Sequence, residues 1–385
     1  MRQLMTLLGA AIVLLSGCGR EAQMLEPKFH PTDNPTALSD WGLLSVGKRL
    51  TLAEGVEPYD LNTPLFTDYA HKLRTIWVPT GAAPAQYKEN DVLQFPVGTV
   101  ISKTFYYPRP AGDTGAFSGR VLKISAEDGR IGEALDDLSK VRLVETRLLV
   151  HRVDGWEAVS YVWNDEQTEA VLTRVGDAKR LTLVSQNPGG EMLEEQFAYI
   201  VPNVNQCKGC HAPNNTSRAI SPIGPKPRHL NKNFVHDGVP VNQLSHLTTV
   251  GYAVEPTPEF LRVKNADWRD ESASLDARAR AYLDANCSHC HNPVGPADTS
   301  GLSLEPSTPL GAAVGLCKLP IAAGGGTGGR KVDIAPGDPD GSIVVFRMST
   351  TDPDKMMPEL GRSLAHEEGV HLITDWIDAM EGACS

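Results

Sequence analysis

Beyond its first seventeen residues, the 385-residue chain has no apolar run of the 18 or more residues that a membrane-spanning helix requires. With 41% apolar and 22% charged residues, the body is expected to be an ordinary soluble globular protein. Positive charge is in the minority: 36 Lys and Arg against 47 Asp and Glu leave a formal charge of −11. That balance argues against a nucleic-acid or anionic-lipid surface, because either partner would be repelled. Cysteine is scarce as well, at seven residues, so each one calls for an assignment. A prior of ~150 residues per domain gives two or three units at this length, and the patterns below favour two.

The first residues have the layout of an export signal: one positive charge at Arg2, an apolar run from Leu4 to Leu15, then small residues before Cys18. Leu15-Ser16-Gly17-Cys18 resembles the lipobox of bacterial lipoproteins, which implies removal of residues 1–17 and a diacylglycerol on Cys18. Several acyl chains, at about 0.8 kcal/mol per buried methylene, would hold the body at a bilayer. In that family Gly19, in place of Asp, implies sorting onward to the outer membrane, on its periplasmic or surface-facing side. The plainer alternative is a secretory peptide with a chance cysteine. Residues 18–40 are polar and contain proline, and are expected to be a tether.

The other six cysteines divide into two C-x-x-C pairs and two singles. Both pairs are followed at once by histidine, as Cys207-Lys208-Gly209-Cys210-His211 and Cys287-Ser288-His289-Cys290-His291. This is the attachment pattern of haem c. Two thiols three positions apart reach the two vinyl groups of one porphyrin, and the adjacent histidine becomes the proximal iron ligand. The sequence therefore predicts two covalently bound haem c groups. A zinc site is the competing reading, but about 77 positions separate the pairs, against ~15–20 in zinc ribbons. A redox dithiol is the other, and neither motif sits in a strand-helix thioredoxin context. Cys317 and Cys384 are expected to form a disulfide fastening the C-terminal tail to a loop.

The fold class expected is α+β: a β-rich, sandwich-like domain over residues 41–270 carrying the first motif, then a mainly α domain over 271–385 carrying the second. Segments Lys72 to Val78, Val97 to Tyr107, Arg120 to Ser125, Arg142 to Val153, Trp156 to Trp163 and Arg180 to Ser185 alternate with period two and are rich in β-branched and aromatic residues. Asp154-Gly155 suits a type I′ hairpin turn between two of them. No amphipathic helix precedes the first motif, and residues 212–270, rich in Pro, Gly and Asn, read as loop wrapped on the domain. A helix does lead into the second motif, with Leu275, Ala279, Tyr282 and Leu283 at helical spacing and Ser274 as cap. Val370, Ile373, Trp376, Ile377 and Met380 form a second apolar stripe, and the two helices are expected to cross.

Residues 272–385 thereby resemble a class I cytochrome c domain. The resemblance implies that Cys287 and Cys290 hold the haem, that His291 is its proximal ligand, and that Met357, in Met356-Met357-Pro358, is the distal one. Met356 is the next choice, and Met348 is read as core. The glycine-rich stretch Gly324 to Gly329 and the extra cysteine pair depart from the family. The whole chain is also similar to a group of exported bacterial di-haem cytochromes with a β-rich front half.

His211 has no Met-Pro downstream before the second domain. Its distal ligand is sought among His229, His236, His246 and Met192, with His229 the first candidate; two histidines would make a low-potential haem. A vacant distal position would instead allow the haem to activate a small molecule. Here the strand Phe95 to Lys103 ahead of a C-x-x-C-H resembles the cytochrome P460 fold, which implies that Lys103 matches that family's haem-linked lysine. The expected function is electron transfer between redox partner proteins of the cell envelope, with no side chain acting as acid, base or nucleophile. The alternative is a haem enzyme, P460-like or peroxidase-like, at His211 with the second haem as relay. His366 and His371 are five apart, not four as in a zinc-protease helix, and are read as solvent-side residues of the last helix. Asn214-Asn215-Thr216 matches a glycosylation acceptor by rule alone.

Overall fold

The computed structural model describes residues 25–88, 91–113, 118–123, 133–236, 238–321 and 323–384; the export signal and Cys18 lie outside them. The chain is α+β. Its strands are β1 (Leu44–Val46), β2 (Leu50–Leu52), β3 (Glu57–Tyr59), β4 (His71–Trp77), β5 (Val100–Pro108), β6 (Arg120–Leu122), β7 (Val141–Arg152), β8 (Gly155–Trp163), β9 (Ala170–Thr173), β10 (Asp177–Gln186) and β11 (Met192–Val201). Helix α1 (Val204–His211) follows, then α2 (Pro227–Leu230), β12 (Asn233–His236), β13 (Val239–Asn242), α3 (Gln243–Thr249) and α4 (Pro258–Arg262). The C-terminal part holds α5 (Leu275–Asn286), α6 (Ile343–Ser349) and α7 (Glu367–Asp378).

The strands expected from period-two alternation are all present; the third of those ranges, Arg120 to Ser125, is strand to Leu122 and passes beyond the described residues after Lys123. Six strands form an antiparallel sheet in the order β3-β4-β5-β7-β8-β9, and β11-β10-β6 form a smaller one with β6 parallel to β10. The hairpin from β7 to β8 pairs Arg152 with Gly155, so its two loop residues are Val153 and Asp154. Of the expected turn pair only Gly155 has a positive φ, at 118°, and the turn is not type I′.

Each face of the large sheet has its own cover. On one, Leu73, Val100, Leu148, Val150, Val159 and Tyr161 pack against Leu38, Trp41 and Leu43. Trp41 Nε1 donates to the Tyr161 hydroxyl (2.7 Å), which donates to the Pro35 carbonyl (2.9 Å). Residues 25–40, whose composition reads as tether, are thus docked on the sheet from Leu25 onward, because Leu25, Phe29 and Leu38 have apolar partners there. On the other face, Phe105, Tyr107 and Val144 meet Leu181, Phe197 and Tyr199 of the small sheet, while Ile76, Ile101 and Leu93 meet Leu230, Leu244 and Leu247 from the 212–270 segment. That segment wraps the domain as expected, with short helices inside it.

Helix α5 begins at its predicted cap, the Ser274 side chain accepting from Ala277 N. Its apolar stripe packs on α7, with Ala279, Tyr282 and Leu283 against Ile373, Trp376 and Ile377. Gly369 permits the approach: a Cβ there would fall 2.3 Å from the Tyr282 hydroxyl. Cys317 and Cys384 are bonded (S–S 2.11 Å), tying the tail to the loop as expected. His366 departs from its solvent-side reading, since it stacks on Phe66 (4.3 Å between centroids) and shares a hydrogen bond between its Nδ1 and the Tyr282 hydroxyl (2.9 Å); His371 is exposed. The glycine run contains a 3₁₀ turn at Gly324–Thr327, with Gly326 buried against Arg347.

One buried carboxylate joins the two parts. Asp284 on α5 accepts from Arg228 Nε and Nη2 (2.8 Å each), His229 Nε2 (2.8 Å), Asn265 Nδ2 (2.7 Å) and Ser288 Oγ (2.9 Å). Burial opposes its ionisation, but the Arg228 and His229 hydrogen bonds overcome this and hold the carboxyl well below the usual range. A depressed folded pKa contributes stability that is complete above the ordinary carboxylate range and is lost as pH falls through the folded value. Asp284→Asn is expected to cost about 3–5 kcal/mol at pH 7, as for other broken buried pairs. Urea unfolding at pH 7 and pH 2 checks this: the variant's deficit should shrink in acid, and an equal deficit at both values would count against the carboxylate as its source.

Candidate cofactor site

The first motif occupies α1, which starts directly after β11 with a capping box: Asn203 Oδ1 accepts from Gln206 N, and Gln206 Oε1 accepts from Asn203 N (2.9 Å each). The helix lies against β8 and buries Cys207. At its end, His211 Nδ1 is 3.1 Å from the Ser221 carbonyl. The second motif closes the end of α5, where Cys290 N and His291 N both donate to the Cys287 carbonyl (3.1 and 2.9 Å). His291 Nδ1 is 3.1 Å from Ser300 Oγ, whose own proton goes to the Ala297 carbonyl (2.7 Å).

These contacts assign both tautomers. A carbonyl only accepts, and the Ser300 hydroxyl has already donated, so each histidine must donate from Nδ1. Each Nε2 is left with its lone pair and, among the described residues, with no protein partner. Both rings line one cavity of about 210 Å³, together with Cys207, Cys210, Cys287 and Met357.

The two motifs meet, which their separation in sequence gives no reason to expect. Cys290 Sγ lies 3.8 Å from the Gly209 carbonyl, and Asn215 N donates to the Val294 carbonyl (2.7 Å). A Cβ on Gly209 would stand 2.7 Å from Leu360 Cδ1, so the methionine loop also comes up against the first motif.

Of the three methionines weighed, Met357 lines the cavity, Met356 is buried away from it, and Met348 belongs both to the C-terminal core and to the cavity wall. Arg362 fixes the Met357 loop from within. Its guanidinium donates to the carbonyls of Met357 (3.1 Å), Leu364 (3.1 Å), Arg347 (2.9 Å) and Thr350 (3.0 Å).

Burial sets the protonation of the site. It pushes the Cys207 and Cys210 thiols up and takes Cys287 and Cys290 to about 12. It brings His211 down to about 3, assisted by the Lys103 ammonium, and His291 down to about 4, assisted by Arg347. Protonated, unpaired thiols lack the lowered pKa of a redox dithiol. Among the described residues no three His, Cys, Asp or Glu side chains converge as a metal-binding group, as a zinc knuckle would need.

Four side chains were candidates to face His211. Met192 is exposed on β11, His246 Nε2 pairs with Glu57 (2.7 Å), and the His236 ring packs tilted against His246, 4.3 Å between centroids. Only His229 shares a cavity with His211, and its Nε2 is committed to Asp284. The arrangement adds His289, from inside the second motif, which a reading limited to neighbours of the first motif passes over. Its ring is buried, lines both cavities that His211 lines, and has no hydrogen-bond partner among the described residues. Lys103 lines the same two cavities, and burial, with Arg74 and Arg147 beside it, brings its ammonium down to about 7.

No family model, curated protein or solved structure matches this chain.

Arg362 offers a test of how the site is held. A charged fork on four carbonyls cannot be replaced by an ammonium with three donors. Arg362→Lys is therefore expected to lose at least about 2 kcal/mol and to open the Met357 loop to protease. Urea denaturation and limited proteolysis measure both; a lysine variant as stable and as resistant as the parent would show that charge alone suffices.

Proposed function

We propose that the chain is an exported di-haem c-type cytochrome, anchored through lipid on Cys18 at the outer membrane, that passes single electrons between redox partners of the envelope. The observation that carries the reading is the pair of histidines with Nδ1 committed and Nε2 free, each beside two unoxidised thiols on an apolar-walled cavity. Metal-ligating histidines are oriented in this way, by a hydrogen bond from the nitrogen that does not bind the metal. The donor set fits: Cys207, Cys210 and His211 would hold one haem, and Cys287, Cys290 and His291 the other. Met357 would be the second axial ligand of the latter. Bound there, the haems supply reversible one-electron chemistry. Ser221 and Ser300 orient the two imidazoles, Arg362 holds the thioether loop, and the contact between Gly209 and Cys290 sets the attachment segments side by side.

One observation favours a second reading. Lys103, an amine with no side-chain hydrogen-bond partner among the described residues, lines the same cavity as Cys210 and His211. This supports a haem enzyme acting on a small molecule at the first motif, with the second motif as relay.

Met357→Ala is expected to lower the potential of one haem by on the order of 100 mV, within the ≈ 0.8 V that axial ligands span, and to leave the other unchanged. A redox titration identical to the parent's would remove Met357 from the ligand set.

Paramagnetic resonance of the oxidised protein, and carbon monoxide binding by the reduced one, separate the two readings. Two low-spin irons that refuse the gas support the carrier; a high-spin, gas-binding iron supports the enzyme. In the carrier, His289 is the better-placed second ligand to the first haem, because its ring nitrogens are uncommitted where His229 Nε2 is not. His289→Ala should then create a high-spin, gas-binding haem and His229→Ala should not; the reverse pattern would return the role to His229.

A further inference from the structure

The register of the large sheet places three cations in one row. Arg74 on β4 is directly opposite Lys103 on β5, and Lys103 is directly opposite Arg147 on β7. Side chains so paired share a face of the sheet, and like charges placed there destabilise it. The outer two have anions of their own. Arg74 Nη1 meets Asp60 at 3.2 Å, although Asp60 is shared with Lys232 (2.8 Å), and Arg147 grips Glu145 through Nε and Nη2 (2.8 and 2.5 Å). Lys103, in the middle, has neither hydrogen bond nor ion pair among the described residues. Its ammonium lies over the Phe105 ring, 6.0 Å from the centroid.

The row forms one wall of a cavity of about 90 Å³ behind His211. Lys226 lines it from the other side, also with no hydrogen bond or ion pair among the described residues. Arg74 Nε is buried without an acceptor among the described residues. Among the described residues Asp284 is the one acidic side chain in the wall, and its oxygens are already taken by Arg228, His229, Asn265 and Ser288. A cavity needs only ~10–15 Å³ to hold the centre of one water, so this one has room for an anion of three or four heavy atoms. In a chain of net charge −11, a cavity with two unsatisfied ammoniums and an unsatisfied guanidinium N–H is a local reversal of sign.

We propose that Arg74, Lys103, Arg147 and Lys226 form a binding site for a small carboxylate or inorganic oxyanion next to the first motif. The inference rests on the proposed function only in naming the source of the anion, which is either a propionate of the first haem or a free oxyanion. The anion accepts from Lys103, Lys226 and Arg74 Nε, and it separates the like charges of the row.

The test uses the purified holoprotein, its Lys103→Met and Lys226→Met variants, and sodium nitrite as probe. Saturable heat and a Soret shift in the parent, weakened tenfold or more in both variants, assign a free oxyanion. No heat with nitrite, but a propionate bending band in the resonance Raman spectrum that moves in Lys103→Met, assigns the porphyrin carboxylate. A parent and variants alike in both measurements overturn the site. A pyridine haemochrome assay runs alongside: a protein carrying no haem refutes the proposed function, while calorimetry with nitrite still decides the anion site, heat lost in the variants supporting it and no heat in the parent overturning it.

Discussion

Everything about the cavity depends on the Asp284 carboxylate. It stands in the last turn of α5, the helix that delivers the second motif, and it is bound by the segment that follows the first. A carboxylate 2% exposed is costly to ionise unless its lone pairs are filled, and here five donors fill them. The directionality of those bonds sets the roll of α5 about its axis, and that roll turns Cys287 and His291 toward Cys207 and His211. A second contact supports the same alignment from across the interface: Asp68 Oδ1 accepts from Ser363 N and Leu364 N (2.7 and 2.8 Å), just beyond the Met357 loop. Two carboxylates, one per side, thus join elements that apolar packing alone would leave free to slide.

Local signals in the sequence were legible where a short segment decides its own structure. Alternation placed β4, β5, β7, β8 and β10, Ser274 capped α5, and the leftover Cys317 and Cys384 found each other. What could not be read were contacts set by tertiary approach. The five-residue spacing of His366 and His371 separates them on a helix surface, yet His366 is wedged between Phe66 and Tyr282 because the loop before β4 folds over the start of α7. Polar composition made residues 25–40 look free, whereas Leu25, Phe29 and Leu38 suffice to dock them. For the site itself, both motifs were visible and their contact was not. Nothing in C-x-x-C-H says which partner the middle residues will face, so Gly209 against Leu360, and His289 toward His211, are properties of the assembled fold.

Burial explains the chemistry common to both motifs. A low-dielectric wall favours neutral forms, and so it keeps the thiols protonated and the imidazoles uncharged. Neutral imidazole with Nδ1 tied is the form that presents a lone pair, and here a carbonyl and a hydroxyl, rather than a carboxylate, hold the two rings. The same burial makes the cations behind His211 conspicuous. They are not a solvated face that water would screen; they stand where a charge without a partner is expensive.

The two motifs are consequently tuned by different means. Around His291 the cavity wall includes the Met357 loop, which Arg362 clamps through neutral carbonyls, so the environment there is set by packing. Around His211 the environment is set by charge, with Arg74, Lys103 and Arg147 in register on three neighbouring strands. A row of cations favours the more negative of any two states beside it, and an anion seated on the row offsets that preference. Under the proposed function, occupancy of the anion site would shift the balance between the two centres without moving a ligand. A sheet can do this where a loop cannot: strand register holds Lys103 between two guanidinium-bearing strands, so the charge stays in place whether or not its counter-ion is bound.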